Sequence, residues 1–271
     1  MYRNAFRVAE LVLGVTVVSV SASAQQTKNV TLHVSPRWED CAFQLDPSLT
    51  QGAWRQFTRE AGLVSYFRPL TDARPMGRGT FELSLLQWQT GIDDTESAWN
   101  DTFVHPDSMH YLFDGSGLTF PGFMLRVGVT KRIDVGAYAA KNPLANYGVY
   151  AGQMQLSIVD DTVKNWAAAT RVSVASLSGP DDLGLTVVGV DALASKTYVL
   201  ASWASLSPYG GVSSYVSRAH ETSSLVTLAD ETTVGAQAMV GIAARVSVMR
   251  LAVEYNAAHV ASRSIKLGVR F

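Results

Sequence analysis

Acidic and imidazole side chains crowd into residues 90–118, where Asp93, Asp94, Glu96, Asp101, Asp107 and Asp114 stand with His105 and His110. Oxygen and imidazole donors at that density could hold a divalent cation. Their spacing matches neither an EF-hand loop nor a zinc pattern, so the reading taken is a solvated acidic loop, with no metal site and no cofactor. Two other constellations could activate water or a hydroxyl: the pair Asp93-Asp94 with His220, and His259 with Ser262 or Ser264. In the first, Arg218 and not an acid stands two residues before the histidine, and Glu221 follows it directly. In the second, serines are so frequent near segment ends that their proximity proves little. No catalytic residue is assigned, and the chain is not read as an enzyme.

The elements that would carry these residues are strands. Residues 1–24 read as a secretory signal peptide: two arginines in Met1–Arg7, an apolar Val8–Val20 interrupted by Glu10, then the small residues Ser21-Ala22-Ser23-Ala24. The one cysteine, Cys41, has no partner for an internal disulfide. Charged residues make up 17% of the chain and hydrophobic ones 47%, with a net charge of −1. That charge fraction is low for a soluble surface, where about 25% is usual. It also excludes a nucleic-acid footprint. No apolar run after residue 24 reaches the roughly 18 residues of a membrane helix, so a membrane protein would have to cross with strands.

Residues 25–78 read as a periplasmic N-terminal segment with a helix over 47–61, capped by Asp46, opened by Pro47 and stopped at Gly62. Its Trp54 and Phe57 stripe would pack on a neighbour, with a plug at a barrel mouth as the functional alternative. From residue 79 the period is two. Strands are expected at about 80–89, 119–129, 133–141, 147–159, 165–177, 184–195, 203–216, 232–247, 249–257 and 263–271. Residues 29–34 and 63–67 could raise the ten to twelve. Long connections alternate with short ones, as they do in transmembrane barrels. The fold class is therefore all-β: a transmembrane antiparallel up-and-down barrel over 79–271.

Alternation then assigns faces. Residues such as Leu125, Ile242, Val253 and Leu267 fall on a face suited to lipid. Glu82, Arg126, Asp134, Arg171, Asp191, Arg245, Arg250, Glu254, Lys266 and Arg270 fall on the face that lines the lumen. Cations outnumber acids there, so an open passage would mildly favour anions. Pairing of these charges into a brace between the walls is the stronger reading. Aromatic girdles are expected from Trp166, Tyr198, Trp203 and Phe271 at one rim and Phe120, Tyr147, Tyr150 and Tyr215 at the other.

The stretch Gly128-Val129-Thr130-Lys131-Arg132-Ile133-Asp134-Val135-Gly136 resembles a strand-turn-strand signature of small Gram-negative outer-membrane barrels. The end of the chain, IKLGVRF, is similar to the signal such proteins present to the barrel-assembly machinery, carried here by Leu267, Val269 and Phe271. The resemblance implies residence in the bacterial outer membrane, contact with its lipid and lipopolysaccharide, insertion by that machinery, and a monomer. It names no solute. The function expected is a small porin-like passive channel for a small solute, or a structural envelope component. The enzymatic alternative is an omptin-like protease or a lipid A hydrolase.

Overall fold

The computed structural model describes residues 42–104, 117–141 and 145–271. Ten strands close into one antiparallel barrel: β2 (Phe81–Thr90), β4 (Leu118–Gly128), β5 (Ile133–Lys141), β6 (Gly148–Asp161), β7 (Trp166–Ser178), β8 (Leu183–Lys196), β10 (Ala204–Glu221), β11 (Glu231–Val246), β12 (Met249–Ala257) and β13 (Ser262–Arg270). Each pairs with its neighbours in sequence, and β13 pairs with β2 from Ser262↔Thr90 to Arg270↔Glu82. Closure leaves no open sheet edge, as hydrocarbon surroundings demand. A four-residue strand, β9 (Tyr198–Ala201), pairs with the start of β10. Outside the ring, β1 (Ala42–Phe43) pairs with β3 (Phe103–Val104).

The strands follow the alternation legible in the sequence, because one face meets lipid and the other is enclosed. Along β12, Leu251, Val253 and Tyr255 are exposed while Ala252, Glu254 and Asn256 are buried. Phe123 on β4 is 64% exposed and its neighbour Met124 is 1% exposed. Such apolar exposure, repeated round the ring, is the lipid-facing belt of a membrane barrel. β10 continues to Glu221, past the expected end near 216, because Ser217 and Ala219 go on facing inward. Residues 63–67 add no strand: they close a helix and enter the lumen. Residues 1–24 and 29–34 lie outside the described residues.

The helix, α1, spans Gln51–Ser65 rather than 47–61. Asp46 serves the preceding turn, its carboxylate accepting from Ser48 N at 2.8 Å, and Thr50 caps the helix by accepting from Ala53 N at 3.3 Å. Gly62 does not stop the helix. It lies inside it, where a Cβ would stand 2.7 Å from Ser217 Cβ on the barrel wall. The glycine therefore buys close approach of helix to sheet rather than a helix end.

The helix α1 covers one mouth of the barrel. Residues 91–104, 145–147, 179–182, 222–230 and 258–261 lie at one end of the barrel, and the connections at 129–132, 162–165, 197–203 and 247–248 at the other. The helix sits at the first, long-loop end: Arg55 pairs with Glu231 at 3.0 Å, and Arg59 reaches His259 at 3.1 Å. Phe43 bonds Asn146 through both its N–H (2.9 Å) and its C=O (2.8 Å), and Leu45 N donates to Asp182 at 2.8 Å. The sequence shows an amphipathic helix but not which mouth it covers. The partners of its polar face decide that, since Glu96, Ala229, Glu231 and His259 stand in or beside the long loops.

Candidate functional site

The lumen is occupied by the chain itself. After α1, residues 66–76 run down the inside of the barrel to the short-turn end, where β2 begins, and form a strap tied to the wall at each step. Tyr66 donates its hydroxyl proton to Asp191 at 2.7 Å. Phe67 O accepts from Arg171 at 2.5 Å. Leu70 N donates to Glu254 at 3.2 Å, Ala73 N to Ser195 Oγ at 3.1 Å, and Met76 N to Asp134 at 3.0 Å. Ser157 Oγ donates back to Ala73 O at 3.1 Å. A buried, irregular backbone needs such partners, since each unmet N–H or C=O would cost about 1–3 kcal/mol.

Proline explains why the strap stays extended. Pro69 and Pro75 lack N–H donors and push the residues before them, Arg68 and Arg74, away from helix. Leu70 takes a left-handed backbone with φ +45, a conformation a branched side chain adopts only when its surroundings enforce it. Here the enforcing contacts are its full burial and the bond to Glu254.

At the long-loop half the interior is an apolar core rather than the polar lining expected. Trp54, Phe57, Tyr66, Phe67 and Leu70 from the N-terminal segment pack on Trp88, Phe120, Tyr138, Tyr147 and Tyr215 from the wall, all at most 3% exposed. Phe67 stacks on Tyr138 with ring centroids 5.5 Å apart, and Trp88 lies 4.8 Å from Tyr138. Each fully buried side chain of this size contributes roughly 1.5–3 kcal/mol. Phe120, Tyr147 and Tyr215 thus turn inward, and only Tyr150 of that expected girdle faces out. At the other rim Trp166, Tyr198, Trp203 and Phe271 are all exposed. Alternation gives a side chain's parity but cannot announce that the enclosed face is filled by a distant segment.

The charged residues expected in the lumen separate into two groups. In mid-barrel, Arg171 pairs with Asp191 at 2.6 Å, donates to Gln153 at 2.7 Å, and is fully buried. Glu254 accepts from Tyr209 at 2.9 Å and Asn256 at 2.8 Å. Nearer the short turns, Glu82 holds Lys266 and Arg270, each at 2.7 Å, and Arg126 pairs with Asp134 at 3.4 Å. Arg245 and Arg250 flank the β11–β12 turn and are partly exposed. Arg68, absent from the sequence-based set, is fully buried and donates to Ser262, Thr90 and the Leu63 and Tyr66 carbonyls. Its cue was its place between an apolar run and a proline.

Several residues of the two catalytic constellations engage other partners. His220 Nδ1 lies 2.5 Å from Asp230, which Arg218 also holds at 3.0 Å; these bonds keep the Asp230 carboxyl below the usual carboxylate range. Asp93 caps its own turn through Thr95. His259 engages Arg59 and Glu60, whereas Ser262 and Ser264 face inward and Ser262 bonds Arg68. Neither serine stands at a lipid-facing rim. His105, Asp107, His110 and Asp114 lie outside the described residues, and among the described residues no three metal-ligating side chains converge.

No family model matches the chain, and no curated protein sequence matches it. Among solved structures, it is similar to the β-domain of the Bordetella autotransporter BrkA, at 10% identity and a TM-score of 0.42, over 72% of this chain and 99% of that one. It is similar to the translocator domain of the autotransporter NalP from Neisseria meningitidis, at 11% identity and a TM-score of 0.38, over 81% and 95%. Ail, the attachment invasion locus protein of Yersinia pestis, gives 12% identity and a TM-score of 0.30, over 72% and 99%. These are likenesses of the barrel and carry no activity with them. The class rests on the molecule's own geometry: a closed antiparallel ten-stranded ring, apolar outside and self-filled within, is a bacterial outer-membrane β-barrel protein.

Proposed function

We propose that the protein is a structural component of the outer membrane, a barrel held shut by its own N-terminal segment, and not an open porin. The observation that supports this reading is the strap: residues 66–76 occupy the lumen and bond to seven strands of the wall, β2, β5, β6, β7, β8, β12 and β13. The lumen charges then act as braces between strap and wall, since a buried cation and carboxylate in contact hold a fixed geometry that a solvated passage does not require. With short turns facing the periplasm, as in this class, α1 and the β1–β3 pair lie on the outer surface. Leu267, Val269 and Phe271 are then offered at the periplasmic end of the β13–β2 seam, where the assembly machinery would meet them. Phe271 stacks there on Phe81 at 5.2 Å, and the two residues exchange backbone bonds of 3.0 and 2.9 Å.

Planar-bilayer recording tests this reading. The intact protein is expected to give no sustained steps, and a variant lacking residues 42–76 to give steps if its barrel still closes. Steady anion-selective conductance of the intact protein, reduced by Arg126→Ala or Arg245→Ala, would overturn the proposal in favour of a pore.

A further inference from the structure

The charges at the short-turn mouth are not all consumed by the strap. Beneath Leu70–Pro75 lies a cavity of about 210 Å³, bounded by the ends of β11, β12 and β13. Arg245 and Arg250 both line it and are direct cross-strand partners in the β11–β12 hairpin. Like charges set opposite one another destabilise a strand pair, so this placement asks for a compensating group. Among the described residues neither arginine makes an ion pair. Arg245 donates to Ser205 Oγ and Ser202 O at 3.2–3.3 Å, and Arg250 to the Ser247 and Met249 carbonyls at 3.0 and 2.9 Å.

A third guanidinium reaches the same cavity. Arg270, from β13, must share the single carboxylate of Glu82 with Lys266. Five cations and two acids line the space in all, and the fifth cation, Arg74, is engaged by Asp160 at 3.7 Å. The second acid, Asp72, leaves the balance positive. Guanidinium forks match the oxygens of a tetrahedral anion, giving paired charge-assisted bonds that a spherical ion cannot reproduce.

We propose that this cavity binds a doubly charged oxyanion, inorganic phosphate or the phosphate of a small ester, between Arg245, Arg250 and Arg270. The site is distinct from the strap's anchoring bonds and does not depend on whether the barrel conducts.

Calorimetric titration of the full chain, folded in detergent, tests it with inorganic phosphate, glycerol phosphate and, as reference, chloride at matched ionic strength. One phosphate or phosphate ester per chain is expected. Losing one charge-assisted contact should weaken the binding by about tenfold or more in Arg245→Gln and in Arg250→Gln. Arg263→Gln, on the outward face of β13, is expected to bind as the parent does. Phosphate should also raise the melting temperature of the parent and leave that of the Arg245→Gln/Arg250→Gln double variant unmoved. If the double variant fails to fold, Arg250→Lys keeps the charge, loses the fork and is expected to weaken binding alone. No heat with either phosphate beyond that with chloride, or equal binding in Arg250→Gln and Arg263→Gln, overturns the proposal.

Discussion

Asp191 is the residue on which mid-barrel order turns. Its carboxylate accepts from Arg171, from Tyr66 and from Ser213 at 2.5 Å, joining β7, β8, β10 and the strap at one point. Replacing it by asparagine keeps the shape but leaves the Arg171 guanidinium buried without its counter-charge, a loss that typically costs about 3–5 kcal/mol. Asp191→Asn is therefore expected to lower the urea midpoint of the detergent-folded protein by several times as much as Ser213→Ala, read by the shift between folded and unfolded bands on a gel. Equal effects would show that Arg171 leans on Gln153 and Phe67 O instead. The inward parity of Asp191 and Arg171 was legible from their strands. That Tyr66 completes the pair was not, because nothing in a linear pattern couples residues 125 positions apart.

Among the elements, α1 shows how far capping signals can be trusted. Asp46-Pro47 has the composition of a helix start, yet the helix begins after Thr50 because Asp46 is drawn into a turn with Ser48 and Leu49. Thr50→Ala is expected to cost about 1 kcal/mol. Gly62→Leu should cost more, since overpacking of a close contact typically costs about 1–3 kcal/mol. Thermal unfolding of both variants, followed by the loss of near-ultraviolet dichroism from the aromatic core, orders the two. A smaller effect at residue 62 would mean that the helix stands further from β10 than its contact with Ser217 requires. The strands were far more legible than the helix, because strand alternation reports directly on an inside and an outside. Helix placement depends on loops whose shape the pattern does not contain. Gly189 shows the same limit: a Cβ there would collide with the Tyr66 ring, so the wall is thinned for a partner that the strand itself does not reveal.

For the whole molecule, orientation is the property with most consequence. In a Cys41→Ser background, Ser48→Cys lies in the exposed turn before α1 and Lys131→Cys in a short turn at the other end. A membrane-impermeant maleimide applied to intact cells is expected to label Ser48→Cys and to spare Lys131→Cys until the outer membrane is breached. The opposite pattern would invert the molecule and put the helix in the periplasm, where the sequence reading set it. What was readable at this scale was the ring itself, through strand count, long and short connections, and a C-terminal strand that ends next to the first. The occupant of the ring was hidden for a physical reason. An apolar run followed by two prolines reads as a linker when judged by local propensity, and only a surrounding wall turns it into a core.

The strap also bears on how the barrel can be assembled. A covalent segment passes through a ring of backbone hydrogen bonds, with a helix at one end of it and the first wall strand at the other. A helix with its side chains is roughly 10–12 Å across, too wide to be drawn through a ten-stranded bore already lined by aromatic rings. A helix already formed would have to be wrapped by the closing seam, whereas residues 42–76 could enter a closed ring only as extended chain.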